Sequence, residues 1–523
     1  MSGSPKRSKG MLVAILWFVC GIAVLAVALK IAFPLPARDD FPPDLPVPLA
    51  ESELATSLAG MPENDGQASG IFLLPVGIDA FAMRLALVRN AAQTIDAQYY
   101  IWEDDLSGRM LLQEIVAAAD RGVRVRILID DNPTAGLDGM WTAINSHPNI
   151  SVRIYNPLTI RAVRPANYLF DFFRLNRRMH NKSFTVDGVA TVVGGRNVGD
   201  PYFGASDDTL FIDLDALGVG AVVPAVSQQF QIYWDSEPVY PAARILAKPS
   251  GDAIDAYRAP RYPDSALADA YRDAAQGAMA KLQKASEAES PLIWSQVELV
   301  YDDPAKGLAK VKNEDLMITR LAGLIGESRK SFDLVSGYFV PTRRGEALLG
   351  GLAKRGVETK VVTNSFQVTD VPLVHAGYAP SRKPLLRDGV ILYEAKPQAP
   401  GAQEASSLGA TRFSGGGESV HAKSFVIDDR KLFVGSFNFD PRSAVLNCEM
   451  GFVIDAPELA SAVSQGLDRR MPQNSYRLGL DDGEISWTEV GEKARVHGEE
   501  PGTTAFSRFM VWLLSQLPIA WLL

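Results

Sequence analysis

Apolar positions in the middle of this chain follow two periods in turn. Short β-branched runs of the kind that fill buried parallel strands alternate with stretches whose apolar residues recur at helical spacing. The order occurs twice. From Thr94 the chain reads IDAQYYIW, a polar turn, then MLLQEIVAAADRGVRVRILID; from Ser331 it reads FDLVSGYFV, a turn, then EALLGGLAKRGVETKVVT. Each copy predicts strand, helix, Arg-Gly-Val and strand, with Gly122 and Gly356 placed where a helix ends in a C-cap. Two homologous α/β domains are expected over residues 71–245 and 291–475, joined by an Ala-rich helical connection over 246–290.

The ends follow neither period. Met11 to Leu29 is a run of nineteen residues without a charge, preceded by Lys6, Arg7 and Lys9. As a helix rising about 1.5 Å per residue it would span roughly 28 Å, the thickness of a bilayer core. A cleaved signal peptide is the alternative, because Ala26, Val27 and Ala28 form an A-x-A triplet, but that triplet lies inside the apolar run. Bulky Trp17, Phe18 and Val19 argue against Cys20 as a lipidation site. Residues 1–33 are therefore read as an N-terminal transmembrane helix in a bacterial inner membrane, its positive flank cytoplasmic and the catalytic domains periplasmic.

Residues 34–70 carry Pro34, Pro36, Pro42, Pro43, Pro46 and Pro48 and read as a semi-extended tether. Residues 476–523 close on an apolar tail with Phe506, Phe509, Trp512, Leu513, Leu517, Ile519 and Trp521, in which Arg508 is the sole charge and Pro518 an interruption. Its two tryptophans suit a membrane interface, and a final core helix is the alternative.

Composition adds exclusions. With 523 residues, 47% hydrophobic and 22% charged, the chain is an ordinary globular one and not disordered. Its net charge of -9 has the wrong sign for a protein that wraps nucleic acid, so no nucleic acid partner is expected. Arg153, Arg161, Arg164, Arg174, Arg177 and Arg178 form a local exception, either a basic surface for anionic headgroups or a solvated face. Cys20 and Cys448 are too few for a disulfide framework or a cysteine metal cluster.

The chemistry sits late in each copy. His180, Lys182 and Asp187 recur as His421, Lys423 and Asp428, a doubled His-x-Lys-x-x-x-x-Asp in a chain with only five histidines. In a strand, side chains two apart share a face, so histidine and lysine project together and the aspartate, at odd parity, does not. Asp187-Gly188 reads as a two-residue hairpin that sets Val186 opposite Val189 and His180 opposite Gly195; the same count pairs His421 with Ser436. Asn197 and Asn438 then lie one pleat away, beside small residues that leave room for a substrate. An imidazole, an ammonium and an amide on one surface suit a phosphate oxygen. A lysine between the candidate ligands argues against a metal, and no G-x-S-x-G elbow supports a serine triad.

The doubled motif, followed by GGRN at Gly194–Asn197 and GSFN at Gly435–Asn438, resembles the phospholipase D superfamily over about residues 71–475. Within it, DLSGRMLL, RLNRRMHNKSFTVDG, TDVPLVHAGYA and GSFNFDPRSAVLNCEMG look like the C-type branch of the bacterial cardiolipin synthases. The resemblance implies an α/β fold of two phospholipase D-like domains packed pseudo-symmetrically. It implies phosphatidyl transfer through a phosphohistidine, without cofactor or metal. His180 would be the nucleophile and His421 the acid and then base. Lys182, Lys423, Asn197 and Asn438 would hold phosphate oxygens, and Asp213 and Glu449 would tune the rings. His375 would line a headgroup pocket, a satisfied structural histidine being the alternative. Asp187 and Asp428 complete the catalytic motifs, although parity gives them a structural task at the turn. Glycerophospholipids and the membrane are the implied partners, with phosphatidylglycerol as acceptor and phosphatidylethanolamine as an alternative donor. The rival readings are a hydrolytic phospholipase D releasing phosphatidic acid, and a non-catalytic lipid-binding protein.

Overall fold

The repeated β-branched runs build one sheet that passes through both halves of the chain. The computed structural model describes residues 5–523 except 39–40, 42–43, 46, 48–50, 60, 62–65, 206–208, 250, 252, 259–265, 285–290, 398–416, 490–493 and 519. Side chains are described from residue 16 onward, apart from 59, 209–211, 279–284, 417 and 418 as well.

In the first half the strands are β1 (Ser69–Leu74), β2 (Thr94–Tyr99), β3 (Arg124–Asp130), β4 (Ile150–Tyr155), β5 (Ser183–Val186), β6 (Ala190–Gly194), β7 (Thr209–Ile212), β8 (Asp215–Gly220) and β9 (Val239–Pro241). Their pairing order is β9-β4-β3-β2-β5-β6-β8-β1, with β2, β3 and β4 parallel as the βαβ pattern requires. The second half contributes β10 (Ile293–Tyr301), β11 (Ser331–Ser336), β12 (Glu358–Asn364), β13 (Ile391–Ala395), β14 (Gly417–Val420), β15 (Lys423–Ile427), β16 (Lys431–Gly435), β17 (Met450–Asp455), β18 (Ser475–Asp481), β19 (Glu484–Glu489) and β20 (Arg495–His497). They follow the mirrored order β10-β17-β16-β15-β11-β12-β13-β18-β19-β20. The antiparallel pair β1–β10 joins the halves into one 18-stranded sheet. Strands β7 and β14, one from each half, pair with each other in a separate ribbon.

The crossover helices end as their sequence dictates. Gly122 (φ +102°) and Gly356 (φ +85°) adopt the left-handed conformation after helices Leu106–Asp120 and Thr342–Lys354. Asp105 caps the first of these, its carboxylate accepting from Gly108 N at 2.9 Å. Between the halves lies a core of its own, including Ile71, Val193, Val226, Val426, Val434, Phe452 and Ile454, all buried. At about 1.5–3 kcal/mol for each such side chain, neither half would keep its shape alone.

Two stretches pack differently from the sequence reading. The stretch read as a tether is docked: helix Glu53–Ala59 places Leu54 and Leu58, with Met61, in the first core, because its apolar residues sit at helical spacing. Pro42, Pro43, Pro46 and Pro48 lie outside the described residues. The second domain continues past residue 475, since Tyr476, Leu478 and Trp487 on β18 and β19 are part of its core. Within the connection, helix Ala266–Lys284 packs Tyr271 against Phe81, ring centroids 4.5 Å apart. At the N-terminus, helix Pro5–Ala32 covers the charge-free run. Among the described residues no helix is long and apolar enough to cross a membrane, and the side chains of residues 5–15 lie outside them.

Candidate active site

The turn after each motif is one residue longer than the pattern suggests. Val186 pairs with Ala190 and Ile427 with Lys431, so Val189 and Arg430 are extra residues on the return strands. Two left-handed residues in succession, Asp187 and Gly188 or Asp428 and Asp429, make the turn. The one-residue shift removes the expected pairing of His180 with Gly195 and of His421 with Ser436. Both ladders in fact stop short of the histidines, at Ser183 and Ser424.

Left-handed backbone swings the motif aspartates away from the histidines onto neighbouring backbone. Asp187 accepts from Gln93 N (2.8 Å), Thr94 N (2.9 Å) and Ala92 N (3.0 Å), and from Ser52 Oγ (2.7 Å) on the docked N-terminal segment. Asp428 accepts from Lys330, Ser331 and Arg329 N–H groups in the equivalent place. These donors hold its carboxyl below the usual range against the opposing effect of burial. Asp187→Asn puts an NH2 group where N–H donors converge and removes charge-assisted bonds. A loss of about 2–4 kcal/mol is expected by thermal or urea unfolding, with the covalent intermediate still formed. An unchanged melt with no intermediate would return Asp187 to the phosphate side.

Each histidine is held by the other half. His180 N donates to Cys448 O at 2.8 Å, and its Nδ1 lies 2.9 Å from Glu449 Oε2 and 3.1 Å from Ser436 O. His421 N donates to Ile212 O at 2.8 Å, and its Nδ1 lies 2.5 Å from Asp213 Oδ2. Carboxylates and carbonyls only accept, so both Nδ1 atoms carry a proton, which leaves Nε2 of each ring as the reacting nitrogen. Residue 213 follows residue 212, and 449 follows 448: one short segment grips both the backbone and the ring of the opposite histidine. All four side chains are buried.

The glycines of GGRN serve this exchange. A Cβ on Gly195 would stand 2.1 Å from Asp213 Oδ1, and one on Gly194 2.1 Å from Asp215 Oδ1. The space expected for substrate at residue 195 is therefore filled by a carboxylate. At the equivalent Ser436 the hydroxyl donates to Glu449 Oε2 at 2.5 Å.

Lys182 and Lys423 are fully buried, and each donates to the carbonyl of its own motif histidine, Lys182 at 2.7 Å. Burial brings Lys182 down to about 7, with repulsion from Lys423 adding to it, and Lys423 to about 8, although Glu449 and Asp213 pull the other way. Burial and the nearby ammoniums also lower both histidines, against the pull of their carboxylates. The Asp213 carboxyl is held well below the usual carboxylate range, since His421, Lys423 and Arg196 outweigh its burial. Asn197 sits between Ile101 N (3.1 Å) and Tyr202 OH (2.9 Å). Asn438 is buried in the matching position.

Other expectations change with packing. Five of the six arginines are engaged by carboxylates, and Arg177 donates to Phe173 O. Arg178 is buried on Asp130, Arg174 pairs with Asp171, Arg161 and Arg164 with Asp131 and Asp138, and Arg153 with Asp44 and Asp235. The headgroup role for His375 is corrected too: buried, it meets Glu500 at 2.7 Å and Arg382 at 3.0 Å in a structural network. Aromatic residues at the site escaped notice. Tyr100 meets the His180 ring edge-on at 5.2 Å, and Tyr202 and Tyr338 meet that of His421 at 5.2 and 6.4 Å. The tyrosines directly after β2 and after Gly337 were the available signal.

A family model described as "Cardiolipin synthase, PLD-like domain" matches residues 85–234 and 321–471. Cardiolipin synthase C of Escherichia coli (strain K12) is 46% identical over 468 residues, 88% of this chain and 97% of the relative. A cardiolipin synthase of Staphylococcus aureus (strain Mu50) is 26% identical over 72% of this chain and 62% of its own length. Among solved structures, phosphatidylserine synthase of Haemophilus influenzae Rd KW20 superposes with a TM-score of 0.53 at 14% identity, covering 88% of this chain and 96% of that one. That likeness concerns the fold, and it extends over both halves. Duplicated motifs, exchanged carboxylates and matching sequence agree: the chain belongs to the cardiolipin synthase family with phospholipase D-like domains.

Proposed function

We propose that this chain is a cardiolipin synthase, transferring a phosphatidyl group to the terminal hydroxyl of phosphatidylglycerol through a phosphohistidine. The observation that carries the reading is the crossed pair of buried imidazole–carboxylate contacts flanked by two buried lysines. His180 Nε2 attacks the phosphorus of the donor lipid. The P–O bond to the headgroup alcohol breaks, and its oxygen takes a proton from His421. The incoming hydroxyl then gives its proton to His421 as its oxygen attacks phosphorus, and His180 leaves unphosphorylated. Asp213 supports the imidazolium form of His421 before the first step and again after the second, and between them the ring is the neutral base. Lys182 and Lys423 neutralise phosphate charge, with Asn197 and Asn438 as neutral donors. The domains are taken as periplasmic and residues 1–33 as a membrane anchor, on the charge-free run and its basic flank. Phosphatidylglycerol and phosphatidylethanolamine are the candidate donors.

The test is expression in a cardiolipin-deficient host followed by lipid extraction. Cardiolipin in the extract supports the synthase; phosphatidic acid alone makes the chain a hydrolytic phospholipase D; neither product leaves lipid binding. A pH profile checks the lysines. An ammonium with a lowered pKa is present below 7 and lost as pH rises through 7–8, so kcat/KM for anionic lipid should fall on that alkaline limb. Lys182→Arg, at the group that titrates first, should move the onset of the limb from about 7 toward about 8, and a flat profile to pH values well above 8 would remove the phosphate-holding role.

A further inference from the structure

The C-terminal tail is fastened at both ends and yet faces outward. Before helix Ala505–Ser515, Glu500 accepts from Arg382 and contacts His375, both buried in the second half. After it, Arg442 donates from Nε to Leu522 O (3.1 Å) and from its backbone N to Leu523 O (2.8 Å). A helix held this firmly would be expected to bury its aromatic residues, but Phe506 is 73% exposed, Trp512 55% and Phe509 52%. The final-core-helix alternative does not describe it.

A second exposed apolar helix is tied to the tail beside the site. Arg442 also donates to Asn176 O (3.0 Å) and Asn176 Oδ1 (2.5 Å), at the end of helix Tyr168–Leu175, which tethers that helix to the tail. Helix Tyr168–Leu175 presents Leu169 and Phe173, 57% and 72% exposed, and lies beside the N-terminal helix Pro5–Ala32. Its inner side reaches the site: Tyr168 OH donates to Asn132 Oδ1, Asn132 Nδ2 donates to Tyr100 OH, and Tyr100 touches the His180 ring. From the other half, Tyr338 beside His421 donates to Asp370, two residues before helix Pro372–Tyr378, on which the tail helix packs. Exposed apolar groups from both halves thus flank the two histidines. Scattered single groups need no explanation, but two exposed apolar clusters fastened to the two walls of one site do.

We infer that Leu169 and Phe173, with Phe506, Phe509 and Trp512 of the tail, form a belt that seats in the headgroup–acyl boundary of a lipid bilayer with the site mouth against it. The occupant is a bilayer because the belt is continuous with the N-terminal apolar helix and rims a site whose substrate, on the reading proposed above, is a diacyl lipid. Aromatic side chains at its edge suit that boundary. Docking there lets a phosphodiester enter from the headgroup layer while its acyl chains stay in hydrocarbon.

The test places one environment-sensitive label at a time on full-length chain reconstituted into liposomes of phosphatidylglycerol and brominated phosphatidylcholine. The background is Cys20→Ser, Cys448 being buried. Labels at Phe509→Cys and Phe173→Cys should be quenched several-fold more than one at Val496→Cys, an equally exposed apolar position on edge strand β20. Phe509→Ser combined with Trp512→Ser should lose activity on liposomes and keep it on detergent-dispersed lipid. Equal quenching at all three positions overturns the belt, as does disulfide pairing of Phe509→Cys between chains, which would make this face a contact with a second copy. Cardiolipin formed by the parent chain without quenching removes the belt and leaves the transferase reading; quenching without product does the reverse.

Discussion

Alanine at His180 should leave no covalent enzyme and reduce turnover by at least about 10⁴-fold, because the nucleophile itself is gone. His421→Ala should cost as much with natural lipid, whose headgroup alkoxide needs a proton to leave. With an activated donor carrying a good leaving group it should still accumulate a phosphorylated protein, since that step needs no acid. Radiolabelled phosphatidyl donor followed by denaturing electrophoresis and peptide mapping reads both results. Label on residue 421 in the parent chain would exchange the two roles, and full activity without either histidine would end the mechanism.

The second large effect is expected at the exchanged carboxylates, where the two sides should differ. Asp213→Asn keeps an acceptor for His421 Nδ1–H but removes the charge that supports an imidazolium, so kcat should fall by about 10²–10⁴. Glu449→Gln should cost less, because His180 acts as a neutral nucleophile and Ser436 O, 3.1 Å from its Nδ1, still fixes the tautomer. kcat and its pH dependence for each variant decide the matter. If Glu449→Gln is the more damaging, His180 is the acid.

Much of the fold was legible because its signals are local. The Arg-Gly-Val after each helix and the β-branched runs beyond it announce C-cap and parallel strand within a few residues, and β2, β3 and β4 follow accordingly. Asp187 lies apart from His180 because of left-handed backbone at the turn, not strand parity, since β5 begins only at Ser183, and the hairpin count failed because a bulge residue such as Val189 has no signature of its own. Sequence named Asp213 and Glu449 through resemblance. It could not say that each serves the histidine of the other half, a contact across more than two hundred residues. The arginine cluster misled for a similar reason: Asp130, Asp131 and Asp138, which neutralise it, come from a separate stretch of chain. Helix Glu53–Ala59 was hidden by the prolines around it.

The exchange of carboxylates has a meaning for how the two sides can differ. It is the geometry of two equal subunits that each lend a residue to the partner, here carried by one polypeptide with a helical link. In a symmetric dimer every substitution appears twice, so both imidazoles must share one environment. Covalent fusion lifts that restriction: one side has Asp213 beside Gly195, the other Glu449 beside Ser436. A reaction that needs one base and one acid at the same moment gains from such inequality. Chains cut between residues 245 and 291 should accordingly be inert as separate fragments and regain turnover only when mixed, and swapping the two carboxylates should blur the division of labour before it harms the fold.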